Sequence, residues 1–283
     1  LVSYEFLLSK NQLRQAYKTI KGMSVPNMPD VVVKVNQEIG RQNTSPHKVA
    51  ELITSDIALA GNVLKLANSP LYRRRAEIQS VEHATMMLGL TNLKNLVIAS
   101  AFKRALANNN ADYRQIEEDS QIIAHCASGI AAMVDDVAPE DAYLSGLFHD
   151  AGMVLLAQKF GDYLGFMEKW EDDPIGVIAA EEEQFGTNHC VVGFMLAKHW
   201  ELPESVCYAI SQHHLRCCDH IEDPHLRGHI AVLKLANYLL ASTVTTNTVD
   251  DMPDNWVVYR ETAIKELALD HESVNEIRSL CSL

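Results

Sequence analysis

The stretch YLSGLFHDAGMVLL, Tyr143 to Leu156, places a charged pair at the end of an apolar run. Leu147-Phe148 leads into His149-Asp150, and Ala151-Gly152 then lets the chain bend. A buried, unpaired aspartate costs several kcal/mol, so one in this setting should meet a cation or strong donors. The plainer use of Asp150 is to cap the helix that follows. Being adjacent, His149 and Asp150 can address two sides of one site.

Outward from this pair lie three more stations: His125, His189 and the doublet His213-His214. The gaps are too long for one loop or helix to hold them together, so only a packed helical bundle could bring them to one point. Imidazole and carboxylate are ligands for iron, manganese, nickel or zinc. On a helix His213 and His214 point about 100° apart, so one can face a site while the other reaches a second ion or a supporting carboxylate. Any one of these histidines alone reads as a packed or surface residue; the set carries the reading. His220, His225 and His229 fall in a polar stretch and read as solvated, while His47, His83, His199 and His271 have no constellation around them.

The rest of the chain reads as helix, with no alternating strand pattern. An amphipathic segment from Leu7 to Ile20 ends at Gly22, and a second begins at Asp30 with Val31, Val35 and Ile39 on one face. Ser45-Pro46 is a helix start, an N-cap oxygen followed by proline in the first turn. Asp56 should cap the next helix, whose buried stripe is expected at Ile57, Ala60, Val63, Leu64 and Ala67, with Asn68-Ser69-Pro70 as the break. Further helices are expected from Ser80, Thr91, Pro139, Asp173-Pro174, Asn188, Pro203 and about Gly228, with two short ones from Asn255 onward. The polar stretch from Ala107 to Asp112 is the best internal boundary.

At 283 residues, with 47% hydrophobic and 22% charged content, the chain has room for two helical subdomains. A net charge of −13 argues against general nucleic-acid binding, which needs a basic field. Arg73-Arg74-Arg75, the one basic cluster, reads as a solvated loop able to pair with an acidic partner or a phosphate. The six cysteines, Cys126, Cys190, Cys207, Cys217, Cys218 and Cys281, form no C-x-x-C knuckle and read as reduced thiols. They lack an evident activating histidine in sequence, so thiol chemistry has little support. No basic leader and no apolar run of about 20 residues appears, which gives the expectation of a cytoplasmic protein without a membrane span.

The order H…HD…H…HH resembles the HD superfamily of metal-dependent phosphohydrolases. Four stretches narrow the likeness to the HDOD domain, the HD-related output domain of bacterial signalling proteins. SDIALAGNVLKLANSPLY (Ser55–Tyr72) and SVEHATMMLGLTNLKNLVIASAF (Ser80–Phe102) are similar to its N-terminal half. YLSGLFHDAGMVLL and EEQFGTNHCVVGFMLAKHWELPESVCYAISQHH (Glu182–His214) are similar to its C-terminal half. The resemblance implies an all-α, two-lobed helical bundle. Its parts would be an N-terminal helix (1–22), a helical lobe (23–110) and an HD-like lobe with C-terminal helices (111–283).

Carried over by position, the resemblance implies that His125, His149, Asp150, His189, His213 and His214 hold one or two divalent transition metals, iron, manganese, nickel or zinc. Asp150 would be the catalytic group of an active member. Two departures weigh against turnover. Where HD enzymes place a late aspartate, HIAVLKLANYLL (His229–Leu240) offers Asn237, and where HD-x-G-K is common this chain has Met153. Two divalent ions against one carboxylate leave a net +3 rather than +2, and Met153 gives no cation to a phosphoryl oxygen. The resemblance therefore implies a regulatory module that binds a signalling protein or a phosphorylated small ligand. A metal-dependent phosphohydrolase of weak or no activity is the alternative, and a di-iron oxygenase a third.

Overall fold

The computed structural model describes residues 7–69, 77–106, 111–244 and 252–280, so Arg73-Arg74-Arg75 and Cys281 lie outside the described residues. Among the described residues there are α-helices and no strand, so the all-α expectation holds. No helix among them is long and apolar enough to cross a membrane. Two compact units emerge, residues 26–117 and residues 1–25 together with 118–283. The first helix, α1 (Lys10–Ile20), is part of the second unit, and the sequence boundaries at 22 and 110 differ from these by a few residues.

The 26–117 unit is built from α2 (Asp30–Ile39), α3 (Pro46–Thr54), α4 (Ile57–Ala67) and α5 (Val81–Leu106), with α2, α3 and α4 all packed against α5. Ser45 caps α3 by accepting from the Lys48 amide, and Asp56 caps α4 by accepting from the Leu59 amide at 2.9 Å. Asn68 ends α4 and holds Ile78 through both its amide groups, each at 2.8 Å. Gly89 breaks α5 with φ 79°, a conformation glycine adopts without a Cβ clash, which gives the separate starts expected at Ser80 and Thr91. Val32, Val35, Val49, Ile53, Val63, Leu93 and Phe102 form the buried interior. Each such side chain removed from water contributes roughly 1.5–3 kcal/mol against the entropy of ordering it. Ile57 departs from the expected stripe: it is 87% exposed, and Leu59 takes the inward position two residues on, where α4 turns its face to α5.

The other unit runs through α6 (Ala111–Ala131, from Glu118 onward), α7 (Pro139–Phe148), α8 (Ala151–Lys159), α9 (Tyr163–Met167), a 3-10 turn (Glu168–Trp170), α10 (Val177–Phe185), α11 (His189–His199), α12 (Glu204–Gln212), α13 (Pro224–Val244), α14 (Asp254–Glu266) and α15 (His271–Leu280). Helix α11 packs against α8, α12 and α1, while α13 lies against α12, α7 and α14. Asp173 does not start a helix. Its carboxylate accepts from the Ile175 and Gly176 amides in a turn, and α10 begins at Val177. His229, read as solvated, is buried in α13, where Ser145 of α7 meets its Nε2 at 2.7 Å. Cys126 is disulfide-bonded, so the reading of six reduced thiols fails there, because pairing depends on spatial closeness that spacing does not reveal. Cys190, Cys207, Cys217 and Cys218 are free.

Candidate metal centre

The site forms at helix ends. His149 closes α7, Asp150 sits at the N-terminus of α8, His189 opens α11, and His213 closes α12 with His214 beside it. Gly152 makes the approach of α8 to α11 possible, since a Cβ there would lie 2.0 Å from the His189 carbonyl oxygen. Asp150 does not cap α8. Its carboxylate instead faces His149 Nε2 at 3.0 Å, His189 Nε2 at 3.5 Å and His213 Nε2 at 3.7 Å.

All four histidines are held by their other nitrogen. Nδ1 of His149 donates to the Gly146 carbonyl at 2.8 Å, Nδ1 of His213 to the Ile210 carbonyl at 2.7 Å, and Nδ1 of His214 to the Pro174 carbonyl. A carbonyl oxygen only accepts, so the proton is on Nδ1 and Nε2 is the nitrogen left for the site. His189 is held by a carboxylate instead: its Nδ1 is 2.6 Å from Glu181 Oε2, and its backbone amide and Tyr163 Oη both donate to Oε1. Anchoring the far nitrogen this way fixes the tautomer and aims a metal ligand. The Nε2 atoms of His149 and His213 are buried and have no hydrogen-bond partner. The donor set therefore fits a metal ion, and two groups have ligand atoms within 4.8 Å of one another: His149, Asp150 and His213, and His189, Cys190, His213 and His214. The groups share His213, whose single available nitrogen can serve one ion, so a tight pair of ions is disfavoured.

The electrostatics point the same way. Burial raises the Asp150 carboxyl, but His149, His213 and His189 outweigh it and hold the group well below the usual carboxylate range. Burial lowers His213, yet Cys190 and Asp150 bring it up to about 9, and Cys190 with Glu181 likewise raises His189 well above its ordinary value. His214 is pushed well down by burial and by its two charged neighbours.

His125 does not join the cluster. It lies on the exposed face of α6, donating from Nδ1 to the Gln121 carbonyl at 2.7 Å with its ring edge-on to Tyr143. The buried face of α6 is carried by Ile123, Ala124, Cys126 and Ala127, and the helical turn points position 125 away from it. Asn237 lines a cavity of about 480 Å³ together with Asp150, and Met153 is half-buried in the first turn of α8.

Three residues of the site were not anticipated. Glu181 looks in sequence like the first of a solvated acidic run, but Val177, Glu181 and Phe185 form one buried stripe at four-residue spacing, which is the readable signal. Tyr163 carried none. Cys190 has the histidine partners that sequence spacing did not show, with Sγ 3.5 Å from His189 Nε2 and 3.6 Å from His213 Nδ1.

The family model for the HDOD domain matches residues 25–215. The chain belongs to the HDOD family. An uncharacterized protein of Treponema pallidum (strain Nichols) is 26% identical over 194 residues, 67% of this chain and 37% of that protein. A second relative, from Bacillus subtilis (strain 168), is matched over 27% of its length, so this HDOD chain spans about a third of the curated relatives it matches. Among solved structures, an HDOD domain protein with unknown function from Geobacter sulfurreducens is 26% identical, with a TM-score of 0.65 over 96% of this chain and 97% of that one. A Shewanella amazonensis SB2B protein provisionally named a phosphohydrolase has a TM-score of 0.70 at 20% identity, covering 98% of this chain and 94% of its own, and shows the fold alone.

Proposed function

We propose that this HDOD chain is a bacterial signalling module that holds a divalent transition metal at the histidine cluster and acts by binding a partner protein, not by turnover. The observation that carries this reading is the cavity leading to Asp150. Among the described residues it is lined by Asp119, Glu171, Asp172 and Trp256, with no lysine or arginine. A phosphoester entering there would meet carboxylates where phosphoryl chemistry needs cations. Asn237 adds no charge, and no cation stands at position 153. The same lining disfavours a phosphorylated small ligand as the bound partner.

Phosphohydrolysis is the second reading, favoured by the three histidines, His149, His189 and His213, whose Nε2 atoms face the Asp150 carboxylate. A metal there would supply an activated water and polarise a phosphoryl oxygen. The test is turnover of a phosphodiester, a phosphomonoester and cyclic di-GMP by tag-free protein, with manganese, nickel or ferrous iron supplied anaerobically. The expected result is turnover at the blank, raised by Asn237→Asp with Met153→Lys together more than by either alone. Vigorous metal-dependent turnover by the unmodified protein would make the enzyme reading the better one.

A further inference from the structure

Cys190 lies inside the histidine cluster, in a group of possible ligands separate from the one that contains Asp150. Its Sγ is 3.5 Å from His189 Nε2, and one ligand atom from each of His189, Cys190, His213 and His214 lies within 4.8 Å of the others. The residue is 2% exposed, and it lines a separate cavity of about 320 Å³ with His214, Asn188 and Gln212. His213, of the same group, is fully buried with an Nε2 that has no partner. An unsatisfied buried nitrogen costs free energy that a bound ion would recover.

We infer that Cys190 is an anionic metal ligand of this chain, completing a three-histidine, one-thiolate site with His189, His213 and His214, and that the ion it selects is a thiophilic one such as zinc. The inference rests on the metal-binding reading above. The charge argument is specific. With Asn237 in place of an acid, the Asp150 carboxylate beside the histidines leaves +1 around a single divalent ion, and a Cys190 thiolate within the ligand set brings that local charge to zero. Ligation breaks the Cys190 S–H bond and forms a sulfur–metal bond, and the proton is released to solvent. Four nitrogen and sulfur donors suit tetrahedral zinc, whereas manganese and magnesium prefer oxygen-rich octahedral sets.

The probe is cobalt(II), loaded into the metal-stripped full chain and followed by its absorption spectrum. The expected result is a sulfur-to-cobalt charge-transfer band at one ion per chain. It should vanish in Cys190→Ser and persist in Cys207→Ser, with zinc affinity falling roughly tenfold or more only in the former. A measurement on the unmodified chain guards against misfolding of the variant. Zinc should protect Cys190 from alkylation, and chelation should restore its labelling, as read by mass spectrometry. Cobalt bound without a sulfur band, with Cys190 labelled equally in both states, would overturn the thiolate assignment while leaving a histidine site standing. If no cobalt binds, the metal reading itself fails and takes this one with it.

Discussion

Asp56 and Asp150 occupy the same local position, the residue before the first turn of a helix, and they are used in opposite ways. Asp56, in the 26–117 unit, accepts from the Leu59 amide and is gripped by both terminal nitrogens of Arg104 at 3.3 and 3.0 Å. Asp150, in the other unit, leaves the α8 amides alone and turns to His149, His189 and His213. A capping aspartate is satisfied within its own turn. One that forgoes the cap gives up about 1 kcal/mol of local stability and keeps its charge for groups brought in by other helices. The difference belongs to these two residues and not to the units: α11, which carries His189, is capped by Asn188, and α2 in the first unit starts without a side-chain cap.

The largest effect should follow from Asp150→Ala. Zinc affinity measured by titration calorimetry should fall on the order of a thousandfold, about 4 kcal/mol, and the metal-dependent rise in Tm should disappear with it. The stability of the metal-free protein should not show the loss of a cap, because none is made. If Asp150→Ala keeps its zinc and only destabilises the chain, the two aspartates serve the same purpose and the contrast fails.

Local signals were legible where a residue acts on its own neighbourhood. Ser45, Asp56 and Asn188 each cap the helix expected of them, since the partner amide is three residues away. Three stations, His149-Asp150, His189 and the His213-His214 doublet, could be read as one set because each falls at a helix end, where the side chain can point along the bundle. His125 misled for the opposite reason: it sits mid-helix, and whether a mid-helix residue faces inward depends on a phase that one sequence fixes poorly when small residues flank it. Glu181, Cys190 and His229 act on helices far along the chain. Their roles depend on packing, which spacing does not encode.

His229 separates buried polar groups that support the fold from those poised for a metal. Burial pushes its imidazole down to about 4, against a small opposing contribution from the Asp141 carbonyl, so it stays neutral and accepts from Ser145. The unfolded chain protonates near 6.5, above the folded value. The stability it contributes is therefore complete above about pH 6.5 and is lost as pH falls toward 4, by about 3 kcal/mol. Urea unfolding of metal-stripped protein across that range should show the loss, and His229→Gln, which can still donate and accept, should flatten the slope. An unchanged slope would mean that acid acts through the histidine cluster and not through this support.

The smallest effect tests the other half of the contrast. Asp56→Ala removes the α4 cap and the partly exposed Arg104 pair, and should cost about 1 kcal/mol, most of it from the cap because solvent screens the ion pair. Asp56→Asn separates the two contributions: asparagine still accepts from the Leu59 amide, so it should recover most of the loss although the charge is gone. Neither variant should change zinc affinity, because Asp56 and all its partners lie in the 26–117 unit and every residue of the cluster lies in the other. Chemical denaturation reads the stability and calorimetry the binding. If Asp56→Asn were as damaging as Asp56→Ala, the charge on Asp56 would matter more than its cap, and the two aspartates would differ in their partners alone.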